Sequence, residues 1–313
     1  MRTGWVDELN ADTAVEGRTW TPATPRAAID AVQLLACWVL SVVPALFATS
    51  HQYTWSLLIF VGPLVVTTRE LQRRGALREL KRPVLLSLLF LVPMGGVLTV
   101  GLADDFFVYP NHAAVLGITF PAIDLDGVDH AFQIPIEELF FYVLGFAALL
   151  MLYAWADVVL FPMTRPLTRR PAVSLPELLV SLGVGVALAA GGWLAQRWLN
   201  PGQAMPGYWL YLMLIPVPVV IALTPVIGAR INWPALALVC LALWGHSILW
   251  EVTLAVPQGW WGYQQSNMVG LNVAAWHDLP IEAVIVWGLT PIATIASFEA
   301  LRAHLTPVPR SSP

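Results

Sequence analysis

The sequence contains few charged residues and few cysteines, and both shortages limit what the protein can be. Charged side chains make up 12% of the 313 residues, hydrophobic residues make up 58%, and the mean hydropathy is +0.69. A soluble domain carries about twice that charged fraction, so the composition predicts a polytopic membrane protein. Cys37 and Cys240 lie far apart within apolar runs, which argues against a disulfide scaffold or a thiolate metal site. The net charge of −4 comes with no basic stripe, so no nucleic-acid partner is expected.

Long apolar runs predict an all-α fold of eight membrane-spanning helices. About 20 apolar residues are needed to cross the hydrocarbon core as a helix. The first 26 residues are polar and mixed in charge, unlike a signal peptide, and are predicted to form a flexible cytoplasmic tail. A second tail is predicted at 304–313. The predicted spans are 27–49, 53–68, 83–103, 135–161, 176–199, 208–228, 233–254 and 280–303.

The distribution of basic residues predicts the orientation of these spans. Lys and Arg are concentrated in the cytoplasmic connections of membrane proteins. Six of the 16 basic residues lie at 69–82 and three at 162–175, and only Arg197 falls on the opposite side of the predicted bundle. Both termini are therefore expected in the cytoplasm, in an integral protein of a bacterial-type plasma membrane.

A Pro-Ile-Glu sequence occurs twice, 145 residues apart, each time at the start of a predicted span. The first copy, QIPIEELFFY, contains Glu137 and Glu138, and the second, DLPIEAVIVW, contains Glu282. Proline and an acid are both favoured in the first turn of a helix, so capping is one explanation. Carboxylates within a membrane are costly and usually functional, which favours the other explanation, a site.

The surroundings of the two copies also correspond. Phe107-Val-Tyr109 precedes a glycine in the first half, Trp261-Gly-Tyr263 precedes one in the second, and an acid ends the preceding span in each. We therefore predict two four-helix repeats, residues 27–161 and 176–303. Because four is an even number of spans, the repeats should be parallel and related by an axis along the membrane normal. The span-ending acids are Asp104 or Asp105 and Glu251.

Acids from four span ends should therefore meet at one depth beneath two aromatic loops. A carboxyl group in a dry cavity is stabilised in its neutral form and can act as a general acid, with an ionised neighbour as base. Aromatic faces stabilise a nearby cation by about 0.5–2 kcal/mol each. This combination suits carbocation chemistry on a polyene, and it also suits a proton-coupled transporter. The acids are Asp105, Glu137, Glu138, Glu251 and Glu282, and the aromatic candidates for substrate binding are Phe107, Tyr109, Phe141, Trp250, Trp261, Tyr263 and Trp287.

The doubled motif resembles that of the membrane lycopene cyclases of the two-part type, whose halves occur as paired subunits or as fused domains. The resemblance covers roughly residues 53–303 and implies cofactor-independent, redox-neutral cyclisation. A terminal isoprene double bond is protonated, the ring closes on the tertiary cation, and a proton is lost. Glu137, Glu138 and Glu282 are the catalytic candidates that the resemblance carries over. The matching stretches are IPIEELFF at 134–141, WE at 250–251, WGY at 261–263, Gly270 and LPIEA at 279–283.

The sequence departs from that family in both halves. Ala283 stands where a second acid would follow Glu282, and PAIDLDGVDHAF at 121–132 looks like additional loop. The substrate therefore stays open between a carotenoid end group and a prenylated aromatic, such as the prenyl-indoles of related meroterpenoid cyclases. A proton-coupled transporter or a non-enzymatic membrane protein is the third alternative. The expected partners are a hydrophobic polyprenyl or carotenoid substrate and membrane lipid.

Overall fold

The computed structural model describes residues 25–97, 106–121, 133–163, 172–203 and 205–305, which form a bundle of α-helices. Three helices continue into short π-helical turns at 92–97, 156–160 and 251–255. The helices are α1 (Pro25–Phe47), α2 (Gln52–Ser56), α3 (Leu58–Arg73), α4 (Leu77–Leu91), α5 (Ile136–Trp155), α6 (Leu175–Leu199), α7 (Gly207–Leu214), α8 (Pro216–Ile227), α9 (Trp233–Trp250) and α10 (Ile281–Leu305).

Six helical segments of the described chain are long and apolar enough to cross a membrane. They contain α1, α5, α6, α7 with α8, α9 and α10, which fits the integral membrane protein predicted from composition. The predicted spans 53–68 and 83–103 are also helical as far as they are described, but α3 has only 16 residues and α4 only 15 before its π-helical turn. Residues 98–105 lie outside the described residues, as do 1–24 of the first predicted tail and 306–313 of the second.

Local sequence explains where several helices begin. Ser174 caps α6 through a capping box: its hydroxyl accepts from the Glu177 amide, and the Glu177 carboxylate accepts from the Ser174 amide at 2.7 Å. The side chain of Asn232 caps α9 by accepting from the backbone of Ala235. Pro216 has no amide hydrogen and disfavours helical geometry in the residue before it. The predicted span 208–228 is consequently two helices, α7 and α8.

The helices α5 and α10 form the centre of the bundle. In the segment that contains α5, 61% of the 18-residue apolar stretch is buried, and in the segment that contains α10 the share is 50%. The corresponding shares are 12% for α1 and 22% for α6. The contacts occur in corresponding pairs: α3 packs on α5 as α8 packs on α10, and α4 packs on α5 as α9 packs on α10. Across the middle, α4 contacts α10, α9 contacts α5, and α5 contacts α10.

The connections between helices contain short strands at one end of the bundle, which we call the loop end (residues 106–121, 133–135 and 256–280). Three antiparallel pairs form there, and the pair β1–β4 joins the two loops, with Phe107 opposite Tyr263 and Val108 opposite Gly262. The other pairs, β2–β3 and β5–β6, each fold one loop back onto the start of a central helix. The strands are β1 (Phe107–Val108), β2 (Thr119–Pro121), β3 (Gln133–Pro135), β4 (Gly262–Tyr263), β5 (Asn272–Val273) and β6 (Leu279–Pro280).

A buried polar network joins the two central helices at the opposite end. Arg302 on α10 donates to Asp157 at 3.1 Å and to Glu299 at 3.2 Å. The Asn232 side chain donates to Asp157 at 2.8 Å, and the Tyr153 hydroxyl donates to Glu299 at 3.1 Å. Asp157, Glu299 and Asn232 are all buried, so their charges and dipoles depend on one another rather than on water.

Replacing Arg302 with methionine should destabilise the folded protein. The change leaves the Asp157 and Glu299 carboxylates buried without their shared cation, and breaking a buried ion pair costs about 3 kcal/mol. Arg302→Met should therefore melt at a lower temperature than the wild type in detergent. Arg197→Met, at an exposed position on α6, is the matched control and should change stability by less than about 0.5 kcal/mol. Equal melting of the two variants would contradict this account of the network.

Candidate active site

A cavity of about 100 Å³ lies in the bundle beneath the loop end and is lined by two carboxyl groups and many aromatic rings. The carboxyl groups belong to Glu138, in the first turn of α5, and Glu251, directly after α9. Of the described residues that line the cavity, none is basic. The aromatic lining consists of Tyr53, Phe60, Phe107, Phe141, Tyr142, Phe146, Tyr208, Tyr211, Trp261, Tyr263 and Trp287.

Tyrosine hydroxyls surround the carboxyl group of Glu138. The Tyr53 hydroxyl donates to its Oε2 at 2.7 Å, and those of Tyr109 and Tyr142 lie beside the same group. Burial, and then the nearby Glu138 charge, raise the pKa of Tyr109 well above its usual value. Tyr109 therefore stays protonated at neutral pH. The carboxyl group is thus buried within polar donors, which lowers the cost of its ionised form.

The carboxyl group of Glu251 is held differently. The Tyr263 hydroxyl donates to its Oε1 at 2.7 Å, and the indoles of Trp261 and Trp287 lie beside it. Burial, and then the Glu251 charge, raise the pKa of Tyr263 well above its usual value, so the phenol remains a donor. Oε2 of Glu251 is buried and has no hydrogen-bond partner among the described residues. That oxygen keeps both of its lone pairs available.

The other two predicted glutamates bind the loops rather than the cavity. Glu137 Oε1 accepts from the Leu116 amide at 2.7 Å and from the Thr54 hydroxyl, and Glu282 Oε1 accepts from the Val269 amide at 2.7 Å. Both glutamates are fully buried, and neither is among the residues that line the cavity. Their first-turn positions and their contacts give them a clear role in fixing the loop end.

Each of these loop amides stands immediately before a glycine that requires its special backbone freedom. Gly117 has φ +76° and Gly270 has φ +91°, in the left-handed region that side chains disfavour. After each glycine, the loop accepts a hydrogen bond from the first residue of a central helix. These bonds join Ile136 N to Ile118 O at 2.9 Å and Ile281 N to Leu271 O at 2.8 Å.

Aromatic rings pack against one another to form one wall of the cavity. Phe141 stacks on Trp250 with 5.9 Å between ring centroids and 8° between planes, and Trp287 meets the edge of Phe141 at 5.7 Å. Trp261 packs edge-on against Trp250 at 4.6 Å. Trp250 itself does not line the cavity and supports Phe141 and Trp261 from behind. The rings are consequently fixed before any ligand binds.

The structure thus divides the predicted site residues into groups. Glu138, Glu251, Phe107, Phe141, Trp261, Tyr263 and Trp287 line the cavity. Tyr109 and Trp250 lie behind its wall, Glu137 and Glu282 bind the loops, and Asp105 lies outside the described residues.

Sequence reasoning missed four tyrosines that line the cavity, Tyr53, Tyr142, Tyr208 and Tyr211. A signal for two of them exists. Tyr53 is the second residue of α2 and Tyr208 the second residue of α7, so each follows the start of the second helical region of its half. Tyr211 follows Tyr208 by three residues, which puts both on one helical face.

No family model, curated protein or solved structure matches this chain.

The loop contacts predict different effects for neighbouring glutamates. Removing the carboxylate from Glu137 or Glu282 deletes a charge-assisted hydrogen bond worth about 1.5–3 kcal/mol. Glu137→Ala should therefore speed amide hydrogen exchange at Leu116, and Glu282→Ala at Val269, by about ten- to a hundredfold. Glu138→Ala is the control and should leave exchange at both amides unchanged. Equal acceleration by all three substitutions would show that the two loop contacts have no special role.

Proposed function

We propose that the protein is an integral-membrane terpenoid cyclase that closes a ring on a terminal isoprene unit, with the end group of lycopene or another carotenoid as substrate. The observation that carries this proposal is the pair of buried carboxyl groups, Glu138 and Glu251, in one aromatic-lined cavity without a basic side chain among its described lining residues. Such a site can supply an acid, a base and π faces to a substrate that has no polar group of its own.

We further propose that the chain has eight spans in two four-helix repeats, residues 27–161 and 176–303, with both termini in the cytoplasm. The paired helix contacts and the paired loop hydrogen bonds support the repeat. In β1–β4, the central residues of the two aromatic-x-Tyr sequences, Val108 and Gly262, lie opposite each other. This self-pairing is what a two-fold relation between two similar halves requires.

Contacts between the two central helical segments, further from the loops, support the same two-fold relation. Tyr153 contacts Phe298 with 6.0 Å between ring centroids, and Asp157 pairs with Arg302. Both pairs are 145 residues apart, the spacing of the two Pro-Ile-Glu copies. Each pair therefore consists of corresponding residues that meet across the proposed axis.

In the proposed reaction, Glu138 in its neutral form donates its proton to the CH carbon of the terminal double bond. The π electrons form the new C–H bond and leave a tertiary cation on the dimethyl-bearing carbon. The neighbouring double bond attacks the resulting tertiary cation and forms the ring C–C bond. Glu251 then removes a proton from the carbon next to the new cation, and that C–H electron pair becomes the ring double bond. Substrate and product are isomers, so no oxidant or reductant is consumed.

The two carboxyl groups have unlike environments, which a proton donor and a proton acceptor within one site require. The Tyr53 hydroxyl, with those of Tyr109 and Tyr142 beside it, stabilises the carboxylate that Glu138 becomes after donation. The Oε2 atom of Glu251 has no hydrogen-bond partner among the described residues and can accept a proton. Return of that proton to Glu138, directly or through solvent, restores the starting state.

Substituting either cavity carboxyl should abolish most of the activity. Glu138→Gln removes the proton donor and Glu251→Gln the acceptor, and general acid–base catalysis contributes about 10²- to 10⁴-fold to a rate. Membranes containing each variant should form cyclised lycopene at least about a hundredfold more slowly than the wild type. Glu177→Gln, in the first turn of α6 and outside the cavity lining, is the control and should keep wild-type activity. Full activity in both cavity variants would overturn the proposed mechanism.

An isotope experiment separates a cyclase from a transporter. Membranes containing the protein are supplied with lycopene, or in parallel with a prenyl-indole, in D₂O. The proposed donor exchanges with solvent, so each new ring should carry one deuterium on the ring carbon next to the dimethyl carbon, where the proton was added. Cyclisation of the prenyl-indole alone would reassign the substrate. Proton-coupled flux of a solute without any ring product would contradict the proposed function.

A further inference from the structure

A second and larger cavity, of about 620 Å³, lies between α1, α3, α5 and α9, and we call it the tail groove. Its lining is almost entirely aliphatic: of the residues that line it, only His246, Trp38 and Trp155 carry a polar side-chain atom. Leu35 on α1 is 60% exposed and Leu241 on α9 is 72% exposed. The groove therefore opens on the outer, apolar face of the bundle between these two helices.

The tail groove adjoins the carboxyl-bearing cavity. Phe60, Gly145, Leu149 and Leu243 line both spaces. A β-carbon on Gly145 would lie 3.8 Å from the Phe60 ring, so a larger side chain at this position would fill the space beside Phe60. On the cavity side, Phe60 meets the edge of Phe141 at 5.4 Å. A chain passing the junction would thus bring its end against the aromatic wall.

The groove is long and runs along the helices. Its lining extends from Gly145 on α5 to Leu160 in the π-helical turn that follows, and on α9 from Leu238 to Leu249. These are lengths of about 22 Å and 16 Å at the helical rise. The hydrocarbon core of a bilayer is about 30 Å thick. The groove therefore follows most of that thickness and offers an extended hydrocarbon chain continuous apolar contact.

One polar contact ties the two sides of the groove together. The Trp38 indole donates to Nδ1 of His246, which links α1 to α9 one helical turn before Trp250. Elsewhere α1 is held close to α3, because Gly62 allows the Cys37 side chain to approach closely. α1 therefore forms an outer wall of the groove, which the Trp38–His246 hydrogen bond joins to α9.

We propose that the tail groove binds the unreacted hydrocarbon tail of the substrate, which enters sideways from the bilayer between α1 and α9 while the reacting end lies between Glu138 and Glu251. This inference rests on the proposed function and deepens it. It assigns the substrate to long linear polyprenyl hydrocarbons, because a short substrate would fill the cavity and leave the groove to lipid.

Two substitutions fill the groove at different points. Gly245 lines only the groove, and a β-carbon there meets nothing within 4 Å, so Gly245→Leu narrows the groove without a clash in the backbone. Gly145→Leu blocks the junction beside Phe60. Gly183→Leu on exposed α6, where a β-carbon also meets nothing within 4 Å, is the matched control.

The expected result is a loss confined to the long substrate. Gly245→Leu should lower kcat/KM for lycopene by about tenfold, as overpacking of an apolar site costs on the order of 1–3 kcal/mol. It should leave kcat/KM unchanged for a truncated analogue that keeps only the two terminal isoprene units. Gly145→Leu should lower the lycopene value at least as much, and Gly183→Leu should change neither. The ratio of kcat/KM for lycopene to kcat/KM for the truncated analogue should therefore be lower in Gly245→Leu than in Gly183→Leu. Equal ratios in the two variants would overturn the inference.

A binding measurement distinguishes failure of the groove from failure of the cyclase. A photoreactive amino acid in place of Leu241 is irradiated in vesicles that contain lycopene, and the adduct is identified by mass. Binding of the tail in the groove is supported if a lycopene adduct forms, persists in Gly145→Leu and is lost in Gly245→Leu. This result would support the groove even if no ring product forms. An adduct with lipid acyl chains alone overturns the groove, even if the protein cyclises lycopene.

Discussion

The hydrogen bond between a loop amide and a first-turn glutamate is the interaction on which the loop end depends. A buried backbone amide must find an acceptor, and in this apolar bundle Glu137 supplies one to Leu116 as Glu282 does to Val269. The glutamates also lie at helix N-termini, where negative charge is favoured. The loops fixed in this way carry β1 and β4, and with them Phe107, Trp261 and Tyr263 over the cavity. Loss of the two carboxylates would therefore loosen the loops over the cavity before it changed the helices that line the cavity.

The adjacent residues Glu137 and Glu138 consequently have different roles. Residues 137 and 138 differ by about 100° around the helix, so one meets the loop and the other meets the cavity. This separation explains Ala283. The second half keeps Glu282, which corresponds to the loop-binding Glu137, whereas Ala283 stands where Glu138 would. Its cavity acid is Glu251, contributed by a different helix. The departure at Ala283 therefore removes no loop contact and leaves the cavity with two carboxyl groups.

Much of this arrangement could be predicted from the sequence, for physical reasons that differ between residues. Apolar length and proline placement predict most helix starts, and the doubled motif predicts that acids from both halves approach the loop end. Two neighbouring acids give no information on which one faces inward, because that depends on the rotation of α5 against α3 and α9. The convergence of Glu282 with the cavity acids was also expected, and the structure instead directs its carboxylate to Val269. Tyr53 and Tyr208 were missed because the hydropathy pattern identifies them only as the first residues of predicted spans and does not indicate that they face a cavity.

In the proposed arrangement of two repeats, the presence of both halves in one chain permits corresponding positions to differ. On a two-fold axis, corresponding residues face each other, so identical halves would oppose like charges at positions 157 and 302. This chain has Asp157 and Arg302 there instead, and they form an ion pair. The same freedom applies to the cavity: Glu138 and Glu251 come from non-corresponding positions and have different hydrogen-bond partners. A reaction that begins with proton donation and ends with proton removal needs two unlike carboxyl groups. A symmetric pair would hold them in equal surroundings, whereas the fused chain can keep one in a ring of tyrosine hydroxyls and leave an oxygen of the other open.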